Sequence, residues 1–447
     1  MPQPIDLLIH AEWIIPVIPE NQILQGHALA VQGGKILALL PGEDADRIYQ
    51  PEQRLELPGH ALIPGLINAH THAAMSLLRG LADDLPLMTW LNEHIWPAEA
   101  KWINEEFIHD GSQLAIAEML LSGTTCFNDM YFFPDITGRV ADQAGIRAVL
   151  GLIAIDFPSA WAADGDEYLR KGLEVHDQFR SHPRIHTAFA PHAPYSVGDP
   201  ILKRVRMLAD ELEIPVHMHV HETRDEIVQG IQQHGNRPMQ RLQDLGLLSP
   251  GLAAVHMTQI EDDEIETFAA SGAHAVHCPE SNLKLASGFC PVVPLIEAGV
   301  NLALGTDGAA SNNDLDMFGE MRTTALLAKG VSGSARSLPA SQALAMATIN
   351  GARALGLQEV TGSLEVGKSA DMVAVDLGRI STQPLYHPAS QIVYATGREQ
   401  VRHVWVAGRH LVSEGRLTTL EETTLLHNAE HWRGRISGSD SGRSGEK

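Results

Sequence analysis

Eight short apolar segments, each ending in polar side chains, constrain the fold of this chain more than any other feature. Several are apolar throughout their first half, which is typical of strands that are covered on both faces. Amphipathic helical segments separate them, and no G-x-G-x-x-G motif follows the first one, which disfavours a dinucleotide-binding doubly wound sheet. Eight strands alternating with helices over roughly 250 residues predict a (β/α)₈ barrel. The predicted strands are residues 66–72, 124–130, 146–155, 185–192, 214–222, 252–258, 273–280 and 300–308.

Both ends of the chain have a different pattern, with short strands and turn signals. The N-terminal end contains Gly33–Gly34, a dipeptide that closes hairpins. We predict that the two ends pair into a small β-sandwich domain made of residues 1–60 and 362–432, next to a barrel domain of residues 61–361. The Gly/Ser-rich segment 433–447 is predicted to be a disordered tail.

The composition of the chain argues against several classes of partner. A formal net charge of −23 disfavours nucleic acid, whose phosphates are bound by clustered lysine and arginine. No apolar run approaches the roughly 20 residues that span a bilayer, and the first ten residues lack the pattern of a signal peptide. Only three cysteines occur, so a disulfide framework is not expected. We therefore expect a cytoplasmic protein with no membrane or nucleic-acid partner.

The first predicted barrel strand ends in two histidines, within the segment ALIPGLINAHTHAAMS. Because side chains alternate along a strand, His70 and His72 point to the same side, into the mouth of the barrel. Short neighbouring side chains leave room around the two imidazoles. A satisfied core pair is the alternative interpretation. At the carboxyl end of a barrel strand, where active sites of such barrels lie, the pair favours a divalent metal site.

Further metal-binding and acid–base side chains occur at the ends of later strands. Asp307 ends an apolar run, where a buried acid requires a partner or a metal ion. The fifth strand carries His217, His219 and His221 in phase, and their spacing favours the middle one only modestly. The fourth strand has no lysine that could bridge two ions, so one metal ion is predicted. The full set of strand-end candidates is His70, His72, Asp129, His192, His219, His221, Glu222, His256, His277 and Asp307.

Together these motifs resemble those of the amidohydrolase superfamily. The segments PGLINAHTH, HVHE and LGTDGAASNN carry the resemblance, and the C-terminal segment GSLEVGKSADMVAVD extends it over nearly the whole chain. PHAPYS and HCPESNLKLASG narrow it to the branch of 5′-methylthioadenosine/S-adenosylhomocysteine deaminases, with triazine hydrolases as relatives. The resemblance implies a barrel hydrolase with one divalent metal ion, for which we expect Zn²⁺, with Fe²⁺ or Mn²⁺ as alternatives.

The resemblance also implies roles for individual residues. The expected metal ligands are His70, His72, His219 and Asp307. Asp307 is also expected to act as the base. The other expected contacts are Glu222 on the substrate ring, His256 on the metal-bound water, His192 on the purine and Glu99 on the ribose hydroxyls. The long segment 72–124 would form a lid or substrate wall, with Trp90 as a substrate-binding candidate.

The reaction that the resemblance implies is hydrolytic deamination of 5′-methylthioadenosine to 5′-methylthioinosine and ammonia, by attack of a metal-bound hydroxide on purine C6. Relatives that use S-adenosylhomocysteine well are expected to bind its carboxylate with arginines in and after the third strand. Here Arg147 is followed by apolar residues and an acidic run that contains Asp164 and Asp166, so we favour the neutral methylthio tail.

Several alternatives to this assignment stay open. Within enzymes, they are deamination of S-adenosylhomocysteine or adenosine, or a guanine or triazine hydrolase. An inactive barrel scaffold is disfavoured, because every expected ligand and proton-transfer position is occupied. The expected partner is a small-molecule nucleoside. The Trp-rich segment could also pack against a second copy of the chain in a homo-oligomer.

Overall fold

The first four strands belong to a sheet that the C-terminal part of the chain completes. In this computed structural model, which describes residues 2–438, they are β1 (Gln3–Ile14), β2 (Leu24–Gln32), β3 (Lys35–Pro41) and β4 (Tyr49–Pro64). β1 pairs antiparallel with β2 and parallel with β4. Gly33 and Gly34 join β2 to β3 with φ of 58° and 74°, which confirms the predicted hairpin. A Cβ on Gly34 would lie 2.5 Å from the carbonyl oxygen of Ala407, so only glycine fits there.

The next eight strands form a second, parallel sheet whose spatial order follows the sequence. They are β5 (Leu66–Thr71), β6 (Thr124–Asp129), β7 (Arg147–Ala154), β8 (Ile185–Pro191), β9 (Val216–Val220), β10 (Leu252–His256), β11 (His274–His277) and β12 (Asn301–Leu304). All residues of β5, β6 and β7 are buried, as expected for parallel strands covered on both faces. Beyond β12, the Asp307 amide donates to the His70 carbonyl at 3.0 Å, so the sheet nearly closes. Each predicted strand is present.

Most of the helices connect the barrel strands or cover the outside of the barrel, whereas the first connects β3 to β4 of the terminal sheet. They are α1 (Gly42–Ile48), α2 (Leu87–Trp90), α3 (Trp96–Trp102), α4 (Glu105–Leu121), α5 (Pro134–Ala144), α6 (Gly165–Phe179), α7 (Asp199–Leu212), α8 (Arg224–His234), α9 (Pro238–Asp244), α10 (Asp262–Ser271), α11 (Pro279–Lys284), α12 (Val292–Glu297), α13 (Ala309–Asn312), α14 (Met317–Ser332), α15 (Ala340–Met346), α16 (Ile349–Ala354), α17 (Pro388–Tyr394) and α18 (Glu422–Gly438). Within residues 2–438, no helix combines the length and the apolar character needed to cross a bilayer. A π-helical turn, Leu91–Ile95, joins α2 to α3.

The C-terminal strands complete the first sheet, as predicted. They are β13 (Met372–Asp376), β14 (Val401–Val406), β15 (Arg409–Ser413) and β16 (Arg416–Leu417), and β13 pairs antiparallel with β4. Leu7 and Leu29 from one end of the chain pack in one cluster with Met372 and Trp405 from the other. The predicted barrel with a β domain from both chain ends is therefore confirmed. We retain the exact division, at residues 60 and 362, as a proposal, because β4 runs from this sheet to the first barrel strand.

A buried ion pair joins the amino-terminal end of the barrel to this terminal sheet. Nε of Arg147, the first residue of β7, lies 2.9 Å from Oδ2 of Asp371. Asp371 also accepts hydrogen bonds from Ser369 Oγ and the Ala407 amide, both at 2.7 Å. Arg147 donates in addition to the Pro183 carbonyl at 3.1 Å. The pair is thus fully hydrogen-bonded and far from the carboxyl end of the barrel.

The predicted disordered tail is wrong for residues 433–438. These residues continue α18, in which Ile436 is only 6% exposed. The Trp432 ring packs against Phe107 of α4 with centroids 5.2 Å apart, and its Nε1 donates to Asp110 Oδ2 at 2.9 Å. The composition of the segment did not predict this helix, because the Gly and Ser residues outnumber the two apolar side chains that are buried, Trp432 and Ile436. The rest of the predicted tail, 439–447, lies outside the described residues.

Candidate metal centre and substrate cavity

Four side chains from three parts of the barrel meet at its carboxyl end. They are His70 of β5, His72 just after β5, His219 of β9 and Asp307 after β12, and their potential ligand atoms all lie within 4.8 Å of one another. Oδ1 of Asp307 is 3.2 Å from Nε2 of both His70 and His72. The structure therefore brings together the four residues that the family resemblance implied as metal ligands.

The imidazoles of this cluster are oriented by hydrogen bonds on their far sides. His72 Nδ1 donates to the Met130 carbonyl at 2.6 Å, and His219 Nδ1 donates to the His192 carbonyl at 2.8 Å. Nε2 of each ring therefore faces the cluster. His70 Nε2 is buried and makes no hydrogen bond to a described residue. Histidine ligands of metals are held in this way, and three such nitrogens with one carboxylate oxygen suit a four-coordinate divalent ion.

The three in-phase histidines of the fifth strand take three different positions. His219 joins the cluster, whereas His217 lies beside it with Nε2 2.8 Å from His70 Nδ1. His221 follows the last residue of β9, and its φ of 54° is left-handed. Its Nε2 accepts a hydrogen bond from the Met239 amide at 3.1 Å, away from the cluster. Strand spacing could not distinguish these positions, because the backbone leaves the strand before His221.

Asp307 is held in place by two hydroxyl groups that the sequence analysis missed. Ser281 Oγ and Ser311 Oγ donate to its Oδ2 at 2.6 and 2.9 Å. Burial acts to raise the pKa of Asp307, but His70 and His72 outweigh it and hold that pKa well below its ordinary value. The carboxylate is therefore ionised, as a metal ligand must be. Both serines lie in motifs that carried the family resemblance, which was the available signal.

Glu222 lies at the turn after β9 and is 6% exposed in the wall of the cavity above the cluster. Burial, together with Asp307 and Glu226, raises the pKa of Glu222 well above its ordinary value, which favours the protonated form of the side chain. The turn is fixed by Glu226, whose two carboxylate oxygens accept the amides of His221 and Glu222 at 3.0 and 2.7 Å. Burial raises the pKa of Glu226 to about 7. Sequence reasoning missed this residue.

His256, the last residue of β10, faces the same space. Its φ of 77° is left-handed, and its ring stacks on His219 with centroids 5.4 Å apart. Nε2 of His256 lies 3.9 Å from Oε2 of Glu222, and Nδ1 lies 2.9 Å from Nδ2 of Asn282. Burial lowers the pKa of His256 to about 3, so the imidazole is neutral.

A cavity of about 790 Å³, including its open mouth, extends from the cluster to the helices between β5 and β6. Among the described residues, no lysine or arginine lines it. Its apolar wall comprises Met75, Leu87, Trp90, Leu91, Ile95, Trp96, Met130, Phe132, Ile153, Ile155, Phe157 and Leu285.

The predicted substrate-binding residues all line this cavity. Trp90 and Glu99 come from the helical segment after β5, and His192 comes from the end of β8. The Tyr131 hydroxyl donates to Oε1 of Glu99 at 2.6 Å, a contact not predicted from the sequence. Burial raises the pKa of Glu99 to about 7. His192 Nδ1 is 2.9 Å from Ser196 Oγ.

Three strand-end candidates lie outside both the cluster and the cavity lining, namely His221, described above, Asp129 and His277. Asp129 accepts the Ala73 amide at 2.8 Å and so anchors the chain after β5. Burial raises the pKa of Asp129 to about 6. His277 is buried, and neither ring nitrogen has a hydrogen-bond partner in the part of the chain that the structure describes. A polar residue at a strand end is therefore not sufficient to identify a site residue.

Fold and site together define a barrel hydrolase with a single divalent metal centre. A sequence model of the amidohydrolase family matches residues 61–411, and the chain belongs to that family. A relative from Teredinibacter turnerae, named 5-methylthioadenosine/S-adenosylhomocysteine deaminase, is 52% identical over 432 residues, 97% of this chain and 98% of the relative. A relative of the same name from Saccharophagus degradans is 49% identical over 433 residues, 97% of each chain.

Solved structures agree with this assignment. One described as an adenosine deaminase from Xanthomonas campestris with bound zinc has a TM-score of 0.97 and 54% identity, covering 98% of this chain and 100% of that chain. Atrazine chlorohydrolase TrzN from Arthrobacter aurescens TC1 has a TM-score of 0.89 at 22% identity, covering 95% and 99%, and shows the shared fold alone. The family, the four-residue cluster and the zinc in a close relative establish one divalent metal ion as the cofactor.

Proposed function

We propose that this enzyme hydrolyses the exocyclic C–N bond of 5′-methylthioadenosine, giving 5′-methylthioinosine and ammonia. The observation that carries the proposal is a single cavity that joins the four-residue cluster, the buried carboxyl group of Glu222 and an apolar wall without a cationic side chain among the described residues. The names of the two curated relatives support deamination of methylthioadenosine or adenosylhomocysteine.

The metal ligands in this proposal are the four residues of the cluster, His70, His72, His219 and Asp307. A divalent ion held there supplies Lewis acidity, which lowers the pKa of water to about 7. His217 supports the set by contacting His70 Nδ1, and the Met130 and His192 carbonyls fix the other two rings.

Three residues that line the cavity carry out the proton transfers in this proposal. Glu222, whose pKa is raised chiefly by burial, donates a proton to purine N1 and makes C6 electrophilic. Asp307 accepts a proton from the attacking water, and His256 Nε2 donates a hydrogen bond to the oxygen that adds to C6. The C6–O bond forms first. The proton on Asp307 then passes to the amino group, the C6–N bond breaks and ammonia leaves, while the proton of the new C6 hydroxyl returns to Glu222. Water and the adenine ring of the nucleoside thus give the hypoxanthine ring of 5′-methylthioinosine and ammonia.

The remaining polar residues of the cavity position the nucleoside. Glu99 accepts hydrogen bonds from the ribose hydroxyls, and Tyr131 fixes one of its oxygens for this role. His192, neutral because burial lowers its pKa to about 3, contacts the purine. Trp90, whose ring is nearly buried in the cavity wall, provides an apolar surface for the substrate.

The wall of the cavity favours a neutral 5′ tail over a charged one. Ile153, Ile155 and Phe157, at and beyond the end of β7, line it on one side. Arg147 is paired with Asp371 at the opposite end of the barrel and cannot bind a carboxylate here. Burying an ion without a partner is costly, so the amino-acid tail of adenosylhomocysteine is disfavoured.

One element of the sequence argument for this preference is not supported. Asp164 and Asp166 were expected to repel a carboxylate, but neither lines the cavity. Asp164 accepts the Glu167 amide at 2.9 Å as the N-cap of α6, and Asp166 pairs with Arg204 on the surface. The preference therefore rests on the apolar wall and on the absence of a lysine or arginine among its described residues.

A second candidate substrate is adenosine, which the name of the Xanthomonas relative favours. The 5′ hydroxyl of adenosine would face the apolar wall without a polar partner from it, whereas the methylthio group of 5′-methylthioadenosine would be buried against it. Steady-state ammonia release from 5′-methylthioadenosine, adenosine and S-adenosylhomocysteine separates the candidates. We expect kcat/KM to fall in that order. An equal or higher value for adenosylhomocysteine would contradict the proposed substrate.

A further inference from the structure

We propose that Asn282 is a positioning residue that sets the tautomer of His256, so that His256 Nε2 carries the ring proton and faces the reacting atoms. The two side chains meet deep in the barrel, where each residue is 1% exposed, with Asn282 Nδ2 2.9 Å from His256 Nδ1. An amide nitrogen can only donate, so Nδ1 of His256 must accept. A neutral imidazole that accepts at Nδ1 has its single proton on Nε2.

The other side of the imidazole agrees with this tautomer. His256 Nε2 is buried, no described residue hydrogen-bonds to it, and its ring lines the substrate cavity. The nearest carboxyl oxygen there is Glu222 Oε2, at 3.9 Å. A protonated Nε2 directs a donor into the cavity, as the proposed function requires, whereas the opposite tautomer would place only a lone pair there. Both ends of the ring therefore favour the same proton position.

The side chain of Asn282 makes one hydrogen bond among the described residues, the bond to His256. The backbone N–H of Asn282 donates to the Cys278 carbonyl at 3.0 Å, and its backbone carbonyl accepts the Ser287 N–H at 2.9 Å. These two bonds fix the backbone of Asn282 within α11. Among the described residues, its side chain hydrogen-bonds only to His256, and Oδ1 has no partner. Burying an amide with one unsatisfied oxygen is unfavourable. A buried amide with a single bond points to a role for that bond.

The contact matters for the reaction only through the proposed function, in which His256 donates a hydrogen bond to the oxygen that adds to C6. The Asn282→Asp change keeps the size of the side chain but replaces the donor by an acceptor. The carboxylate then requires a proton on Nδ1 and takes it from Nε2 or charges the ring. A histidine in the wrong tautomer can lower kcat by up to about 10⁴.

The kinetic test is a double-mutant cycle of Asn282→Asp and His256→Gln with 5′-methylthioadenosine. We expect Asn282→Asp to lower kcat by about 10- to 100-fold while KM changes by less than about threefold, because the side chain acts in the reaction and not in binding. In the His256→Gln background the same change should alter kcat by less than about twofold. Multiplicative losses in the double variant would show that Asn282 has a structural role, and would overturn the proposal.

A second readout does not depend on activity. ¹⁵N NMR of protein labelled at the histidine ring nitrogens distinguishes the tautomers, and the spectrum of His256→Gln identifies the signals of His256 by difference. In metal-free and metal-loaded wild type we expect the pattern of a ring protonated on Nε2, and in Asn282→Asp its loss. A wild-type ring protonated on Nδ1 would overturn the proposal. If the wild type deaminates none of the three nucleosides, the proposed function fails, but this spectrum still decides the tautomer.

Discussion

The two ends of the barrel both bury charged and polar side chains, but they use them differently. At the amino end, Arg147 and Asp371 satisfy each other and the surrounding backbone. At the carboxyl end, the Nε2 atoms of His70 and His256 are buried without a hydrogen-bond partner among residues 2–438, and both rings lie at one cluster. Buried polar groups that the protein satisfies hold the fold together, whereas those aimed into a shared space are available for chemistry.

The largest expected effect is at the carboxyl end, from Glu222→Gln. Because an amide cannot deliver the proton that a buried carboxylic acid delivers to purine N1, we expect kcat to fall by about 10²–10⁴. Thermal stability and metal content should stay unchanged, because Glu222 is not one of the four clustered residues. Turnover of 5′-methylthioadenosine measures the loss, with the exposed Glu266→Gln as the matched control. Near-wild-type turnover would remove Glu222 from this role.

The matching change at the amino end, Arg147→Met, should have the opposite profile. It leaves Asp371 buried and unpaired, so we expect the free energy of unfolding to fall by about 3–5 kcal/mol. The kcat per folded molecule should be unchanged, because Arg147 does not line the cavity. Urea unfolding followed by circular dichroism measures the change. Removing the surface ion pair of Arg204 and Asp166 by Arg204→Met should cost at most about 1 kcal/mol.

The same ion pair predicts a pH dependence of stability. Burial acts to raise the pKa of Asp371, but Arg147 outweighs it and holds that pKa below its ordinary value of 3.8. The ionised carboxylate therefore stabilises the fold above pH 3.8, and this contribution is lost as the pH falls through the lower folded-state pKa. We expect the stability gap between wild type and Asp371→Asn to be full at pH 7 and to narrow below pH 3.8. A gap that widens in acid would contradict the assignment.

A smaller effect is expected from Glu99→Ala in the substrate wall. Losing hydrogen bonds from the ribose to a charged acceptor should lower kcat/KM for nucleosides by about 10- to 100-fold. Free adenine lacks the ribose, so its slow deamination should be little affected. Steady-state assays with both substrates provide the comparison, and an equal loss on adenine would contradict the contact. Tyr131→Phe, which removes the hydrogen bond to Glu99, should show the same selectivity in a weaker form.

The smallest effect concerns the choice of 5′ tail. Phe157 is 43% exposed and lines the cavity, so Phe157→Arg adds a cation there with little cost to folding. We expect the ratio of kcat/KM for S-adenosylhomocysteine to that for 5′-methylthioadenosine to rise by about two- to fivefold, as one new ion pair in a partly exposed site would allow. Phe157→Met serves as the uncharged control. An unchanged ratio would place the substrate tail elsewhere.

Much of the fold could be predicted from local patterns. Parallel barrel strands are continuous apolar runs, and their last residues are the side chains that enter the mouth, so His70, His72 and Asp307 could be found without knowing any contact. The sequence signal for the hairpin at Gly33–Gly34 is equally local, because it consists of two adjacent glycines. The helical end of α18 was missed because its packing against α4 depends on two apolar residues, not on the composition around them.

The rest of the site depends on contacts between distant parts of the chain. Strand spacing could not select His219, because the left-handed turn at His221 is fixed by Glu226 from the following helix. Asn282 and Ser281 act through His256 and Asp307, from which they are well separated in sequence. In the sequence alone, Glu99 has the pattern of an ordinary exposed helix residue. Its place in the cavity lining depends on how the fold positions α3.

The central claim is that one ion is held at the carboxyl end of the barrel by three imidazoles and one carboxylate. Anomalous diffraction at the zinc edge, on crystals of active protein with 5′-methylthioinosine, tests it most directly. We expect one peak per chain, about 2.0–2.2 Å from Nε2 of His70, His72 and His219 and from a carboxylate oxygen of Asp307. Two peaks, a peak elsewhere, or none in protein that still deaminates its substrate would contradict the account.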